Sequence, residues 1–325
     1  MKEIFIHIGL HKTATTFLQT KVFPCVKDLY YVGISSQDIS KKPFNFFYDI
    51  NQKTTKDSKL SNKEIIKIKG EINDFINNLG ENCFLFSHEG LSGGYLQNYS
   101  NSYQNAILIK ELFENSKIIF VIRKQSDWAE SQYNQHITRN NSYSIEDYGG
   151  PKDIFTINEY FGYKNGCFKE GKYFNIKDLN WNHMVKNYIE IFGKENVLVL
   201  PYELLKENLN EFLRRFYDFT GFSPYYPENI DYINQKPDIN TIKYCPLLSK
   251  YSCLVDKIPE IKLKSCIKKN DRGIKKFLSK YIKFFDISNE KFNEQQKNLI
   301  MEIHKESNEK LSELININLK EFRYY

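Results

Sequence analysis

Long apolar runs are missing from this 325-residue chain. None approaches the roughly 18 residues a membrane-spanning helix requires. The opening Met1-Lys2-Glu3-Ile4-Phe5-Ile6-His7-Ile8 is too short an apolar stretch for a secretory leader and has no small-residue cleavage site. The six cysteines (25, 83, 167, 245, 253 and 266) form no Cys-x-x-Cys pair. That argues against a zinc ribbon, and without an export signal the thiols read as free in a reducing, cytoplasmic compartment. No His, Cys, Asp or Glu cluster has metal-ligand spacing, so no metal is expected. Tryptophan occurs twice, and only six of the 46 basic residues are arginine (123, 139, 214, 215, 272 and 323). In a chain so rich in Lys, Asn and Ile, an arginine is more informative than a lysine. Aromatics, by contrast, reach 15%, too many for a disordered chain. Hydrophobic residues at 41% and charged residues at 26% are in the globular range.

The net charge is +6, and residues 257–283 hold ten Lys or Arg against two acids. Such a run is either a solvated helix face or a patch for an anionic partner. Short apolar strands are expected at 3–8, 83–87, 118–122 and 197–200. Helices are expected from Thr15 to Pro24, over 62–79, near 103–114, from Ser126, and over 181–192 and 202–219. Residues 36–62 read as a long loop and 139–176 as loop-rich; the last hundred residues read as mostly helical. Strands alternating with helices predict an α/β fold, a parallel sheet flanked by helices with a mostly helical C-terminal region. The whole of 1–325 reads as one domain, with an α/β core over 1–222 and a helical extension over 223–325. Ligands of such sheets sit at the carboxyl ends of strands, so residues 9–16, 87–90, 123–131 and 201–203 are the places to look.

After the first strand comes Gly9-Leu10-His11-Lys12-Thr13-Ala14-Thr15-Thr16. A strand, a tight turn, a lysine and hydroxyls entering a helix suit a phosphate, because unpaired N–H groups and the helix dipole both favour an anion there. Lys12 can neutralise its oxygens, and Thr15 and Thr16 can donate to them. The spacing is not Gly-x-x-x-x-Gly-Lys-[Ser/Thr], and no strand ends in an obvious Mg²⁺ carboxylate. The third strand of this reading runs out into Arg123, and Ser131 follows eight residues later in a helix. A guanidinium and a hydroxyl so placed can clamp a second phosphate; alternatively, Arg123 pairs with Asp127 or Glu130. Two anion sites on one sheet edge point to a nucleotide carrying phosphates at both ends.

The chain here resembles the sulfotransferases that use 3'-phosphoadenosine-5'-phosphosulfate (PAPS). Ile6 through Gln19, with His11-Lys12-Thr13-Ala14-Thr15-Thr16 at its centre, resembles the family's 5'-phosphosulfate loop in its bacterial form. Val121-Ile122-Arg123 through Ser131 resembles its 3'-phosphate motif. Phe192-Gly193 through Pro201-Tyr202-Glu203-Leu204-Leu205 and on to Phe219-Thr220-Gly221-Phe222 is similar to a mainly structural family segment, and His304 through Leu311 is weakly so. Ala14 stands where the family usually has glycine; it is expected inside the first helical turn, where alanine is harmless.

The resemblance implies transfer of a sulfuryl group from PAPS to an acceptor hydroxyl or amine, leaving 3',5'-ADP. His11, Lys12, Thr13, Ala14, Thr15, Thr16 and Phe17 would line the donor, with Arg123 and Ser131 on its 3'-phosphate. The acceptor must lose a proton, so a base is expected near the cleft: Glu89 first, His88 second, and His11, inside the loop, third. Phe17 or Trp128 would stack on adenine, although aromatics this common are more often core. His7, alternating with Ile6 and Ile8, reads as a satisfied core residue. The expected acceptor is a saccharide or lipid-linked saccharide, with segment 257–283 touching an anionic acceptor or membrane surface. Nucleic acid is not expected. Two other readings remain: a metal-dependent phosphate-loop kinase, whose activity would require magnesium, and a non-enzymatic anion- or nucleic-acid-binding protein with a relict site, whose binding would fall steeply with salt.

Overall fold

Buried apolar runs of four to seven residues cannot leave their backbone groups unpaired, and here they pair with one another in parallel. The computed structural model describes residues 2–33, 60–94, 99–139, 156–169, 174–227 and 291–325. The segments expected as a long loop (36–62, apart from its end) and as a basic patch (257–283) lie outside them. Strands β1 (Glu3–His7), β2 (Tyr30–Val32), β3 (Cys83–Ser87), β4 (Ser116–Ile122) and β7 (Val197–Pro201) form one sheet in the order β2-β3-β1-β4-β7. Every pairing is parallel. The register places His7 opposite both Ser87 and Ile119, and Ile122 opposite Pro201, so β1 and β3 finish together while β4 and β7 run three residues farther. The sheet has one strand more than the sequence reading expected. Tyr30–Val32 is a three-residue edge strand, too short for a periodicity to register.

The chain divides into two compact units. The first comprises Met1–Trp128, Lys177–Ile233 and Ile300–Tyr325 and contains the sheet. Its core includes Phe5, Leu85 and Val121 from the strands, with Phe17, Leu18, Val22 and Phe23 from the helical segment after the first strand. Leu205, Phe212, Phe216 and Phe222 complete that face. Each such buried side chain contributes on the order of 1.5–3 kcal/mol. Helix α2 (Asn62–Asn77) opens with a reciprocal Ser61–Glu64 capping box. Helix α3 (Ser102–Leu112) precedes β4, and α4 (Gln125–Arg139) follows it. The second unit comprises Ala129–Ile176 and Asn234–Leu299. The stretch read as loop-rich contains there the short helix α5 (Ile157–Phe161) and the hairpin β5 (Tyr163–Lys164) and β6 (Cys167–Phe168). Phe161 packs edge-on against Phe174, centroids 5.4 Å apart.

Back in the first unit, α6 (Trp181–Phe192) stops at Gly193, as expected. The single helix expected over 202–219 is two, α7 (Tyr202–Glu207) and α8 (Leu209–Thr220). Asn208 breaks them because its side chain accepts the Glu211 N–H and caps the second. The last helix, α9 (Glu294–Ile315), lies in the region read as helical.

The chain between β1 and β2 departs most from a regular helix. Helix α1 (Thr15–Phe17) widens into a π-turn over Leu18–Val22 and tightens into a 3₁₀ turn over Phe23–Cys25. The Thr20 hydroxyl bonds back to the Thr16 carbonyl, and Pro24 has no N–H to continue the ladder. Ala14 is not in the first turn, as expected, but just before it, in the left-handed region at φ 59°. Lys12 is left-handed too, at φ 69°. The loop turns so tightly between strand and helix that two residues with side chains take a conformation suited to glycine. The Ala14→Gly variant should therefore be more stable by about 1 kcal/mol, read as a higher urea midpoint at unchanged m. An equal or lower midpoint would mean that Ala14 carries no strain.

Candidate functional site

Among the segments that leave the carboxyl edge of the sheet are the loop after β1, the turn after β3 and the start of α4 after β4. In the first, Gly9 is required by space. A side-chain carbon there would lie 2.9 Å from Thr15 Oγ1 and 3.0 Å from the His7 ring. Thr13 is buried and donates its hydroxyl to the Leu10 carbonyl, which Thr15 also reaches at 3.4 Å. Two left-handed residues in one loop cost on the order of 1–3 kcal/mol each and persist only when their surroundings hold them.

The hold comes from β4 and α4. Arg123 donates from Nη1 to the Lys12 carbonyl at 2.7 Å, and Trp128 donates from Nε1 to the His11 carbonyl at 2.8 Å. The predicted anion-binding arginine is thus bonded to the predicted anion-binding loop, rather than paired with Asp127 or Glu130. Asp127 instead meets Lys124, at 3.4 Å. Arg123 also lies over the Tyr202 ring, 4.5 Å from its centroid. Its own carbonyl accepts the Trp181 indole N–H at 2.7 Å. Behind it, the Glu203 carboxylate accepts the Lys124 N–H at 3.0 Å and the Tyr324 hydroxyl at 2.7 Å. Burial raises the pKa of that carboxyl. Gln125 and Asn308 exchange side-chain bonds at 2.9 and 3.1 Å. Ser131 lies farther along α4, half-buried, in the second unit.

The turn after β3 carries two of the three candidate bases and separates them. His88 accepts the Gly90 N–H through Nδ1 at 3.0 Å, and burial lowers its pKa to about 4. A neutral ring with Nδ1 so occupied carries its proton on Nε2 and presents a donor. Glu89 begins the 3₁₀ turn Glu89–Ser92 and brings its carboxylate to 4.0 Å from His11 Nε2. The strand ends before these residues, so they do not alternate as strand neighbours. Behind the turn, Asn105 donates to the Gly90 and Leu91 carbonyls at 3.3 and 3.2 Å, and Tyr188 donates to the latter at 3.3 Å.

Phe17 lies in the apolar core. Trp128 is fully buried against Tyr99 and Trp181, with centroids 5.9 and 5.8 Å away. Neither ring offers a face to adenine. The sequence reading missed Trp181, Asn105, Tyr188, Asn308 and Tyr324. Rarity was a usable signal for one of them: both tryptophans of the chain bond to backbone carbonyls beside the loop or strand end. Among the described residues no group of three His, Cys, Asp or Glu could hold a metal, and no helix is long and apolar enough to cross a membrane.

The family model described as "Sulfotransferase domain" matches residues 103–311. The chain belongs to the sulfotransferase family. The matched span holds Arg123, Ser131 and Glu203, whereas the loop after β1 precedes it, so that loop is read from its own geometry. A solved sulfotransferase from Alicyclobacillus acidocaldarius is 16% identical, covering 79% of this chain and 97% of that one at a TM-score of 0.43. No curated protein matches.

Two buried histidines give this sulfotransferase-family chain a predictable acid sensitivity. His7 and His88 have pKa values lowered by burial from 6.5 to about 3 and about 4. Between those values and 6.5 the unfolded chain binds more protons than the native one. Stability is therefore full above about pH 6.5 and is lost as the pH falls through 4. Urea midpoints should fall over that window. His88→Asn, which can still cap the turn, should flatten the fall; a wild-type midpoint constant from pH 7 to 4 would contradict this.

Proposed function

We propose that the chain transfers the sulfuryl group of PAPS to an acceptor hydroxyl or amine and releases 3',5'-ADP. The observation that carries this reading is the bond from Arg123 to the Lys12 carbonyl, which joins the two candidate phosphate sites. Arginine has five N–H donors. With Nη1 on the loop, the remaining donors serve the 3'-phosphate, with Ser131 as the second group. The N–H groups of the loop, together with Thr15 and Thr16, hold the 5'-phosphate. Residues 1–325 act in this reading as one sulfotransferase domain.

The displacement is in-line. The acceptor oxygen attacks sulfur while the bond from sulfur to the 5'-phosphate oxygen breaks. Lys12 neutralises the charge that develops on that oxygen. Glu89 takes the acceptor proton, and His11, 4.0 Å from its carboxylate, orients it. His88 is the weaker candidate, because the lone pair it would need is already engaged by Gly90. The acceptor we propose is a glycan or lipid-linked sugar.

Two measurements test this. In calorimetric titrations the wild type should bind 3',5'-ADP far more tightly than 5'-AMP. Arg123→Ala should cut that preference by roughly 10–100-fold, the size of lost charged hydrogen bonds. No preference for the 3'-phosphate would end the PAPS reading. Glu89→Gln should lower turnover by roughly 10²-fold or more with 3',5'-ADP affinity intact. If His88→Asn does so and Glu89→Gln does not, the base is misassigned.

A further inference from the structure

Beneath the phosphate loop lies a polar cluster that an apolar core does not need. His7 Nδ1 is 2.7 Å from Ser87 Oγ. Gln19, in the π-turn after the loop, donates to Ser87 Oγ at 2.9 Å and to the Ser87 carbonyl at 3.3 Å. All three residues are 0% exposed. Ser87 Oγ already accepts from Gln19, so its own proton is best placed on His7 Nδ1. That fixes the ring as the Nε2–H tautomer. Nε2 is buried and has no partner in the structure, and a buried donor left so is costly.

The place where this donor sits gives it a use. A side-chain carbon at Gly9 would lie 3.1 Å from His7 Nε2 and 2.9 Å from Thr15 Oγ1, so the missing side chain lets imidazole and hydroxyl approach the same bend. The Thr15 hydroxyl has only long contacts, 3.4 Å to the Leu10 carbonyl and 3.5 Å to Thr13 Oγ1. We propose that His7 is a positioning residue that acts through Thr15 on the 5'-phosphate of the bound nucleotide. As the Thr15 hydroxyl turns its proton from the Leu10 carbonyl to a phosphate oxygen, the side chain swings its oxygen onto the His7 Nε2–H, a bond not formed in the structure. The relay gives the orphaned donor an acceptor and strengthens the bond to phosphate, because successive hydrogen bonds polarise one another. It rests on the donor reading above, and it reverses the sequence-based reading of His7 as a satisfied core residue.

Conservative variants separate this role from a structural one. Glutamine sets its amide near the place of Nε2, and asparagine near that of Nδ1. His7→Asn should weaken 3',5'-ADP and 5'-AMP by roughly tenfold, the size of one lost hydrogen bond, and leave 3'-AMP unchanged. His7→Gln should restore most of the loss. Thr15→Val should reproduce it, and adding His7→Asn to Thr15→Val should cost nothing more. Equal weakening of all three nucleotides, or of none, would overturn the relay, as would additive losses in the double variant. If His7→Asn does not fold, full 5'-AMP affinity in Thr15→Val would still overturn it. A wild type that binds 5'-AMP but shows no preference for 3',5'-ADP would count against the donor reading alone.

Discussion

The bond from Arg123 to the Lys12 carbonyl is the constraint on which the site depends. A loop with two left-handed residues that bear side chains is not a shape the chain adopts unaided. Arg123 and Trp128 impose it by taking the carbonyls of Lys12 and His11. Both donors come from the end of β4 and the first turn of α4. The parallel register brings that strand end beside the loop after β1. One arginine therefore shapes one candidate phosphate site while standing in the other.

The strand ends are braced in turn. Glu203 holds the Lys124 N–H, Tyr324 holds Glu203, and Asn308 holds Gln125. On the other side of β1, Asn105 and Tyr188 grip the turn that carries Glu89. His7, Ser87 and Gln19 connect the two sides from below. These braces are buried polar groups, each expensive to leave unpaired, so they resist small displacements. The in-line transfer proposed above has the same need, because its reacting atoms must be held within a fraction of an ångström.

Much of this was legible in the sequence. The apolar runs of β1, β3, β4 and β7 are long enough to read, and the residues that follow them form the candidate site. Arg123 was singled out by rarity as much as by position. What was not legible is conformational or distant. The glycine that the family usually has at position 14 was the one hint that Ala14 is left-handed, and it lost to the helical look of the local sequence, because the conformation follows from clamps more than a hundred residues away. Asn208 hides a helix break inside an unbroken apolar stripe. Trp128 was one of two rings offered for adenine, with a core position the commoner outcome; it is buried, and its single N–H ties down the loop. Asn105, Asn308 and Tyr324 matter through contacts that no spacing encodes.

The most direct measurement is the structure of the chain with 3',5'-ADP bound. The 5'-phosphate should lie within about 3.2 Å of N–H groups in residues 12–16, and the 3'-phosphate should meet Arg123, whose bond to the Lys12 carbonyl should persist. A nucleotide that avoids the loop, or binds only after Arg123 releases Lys12, would contradict the claim that one arginine builds both halves of the donor site.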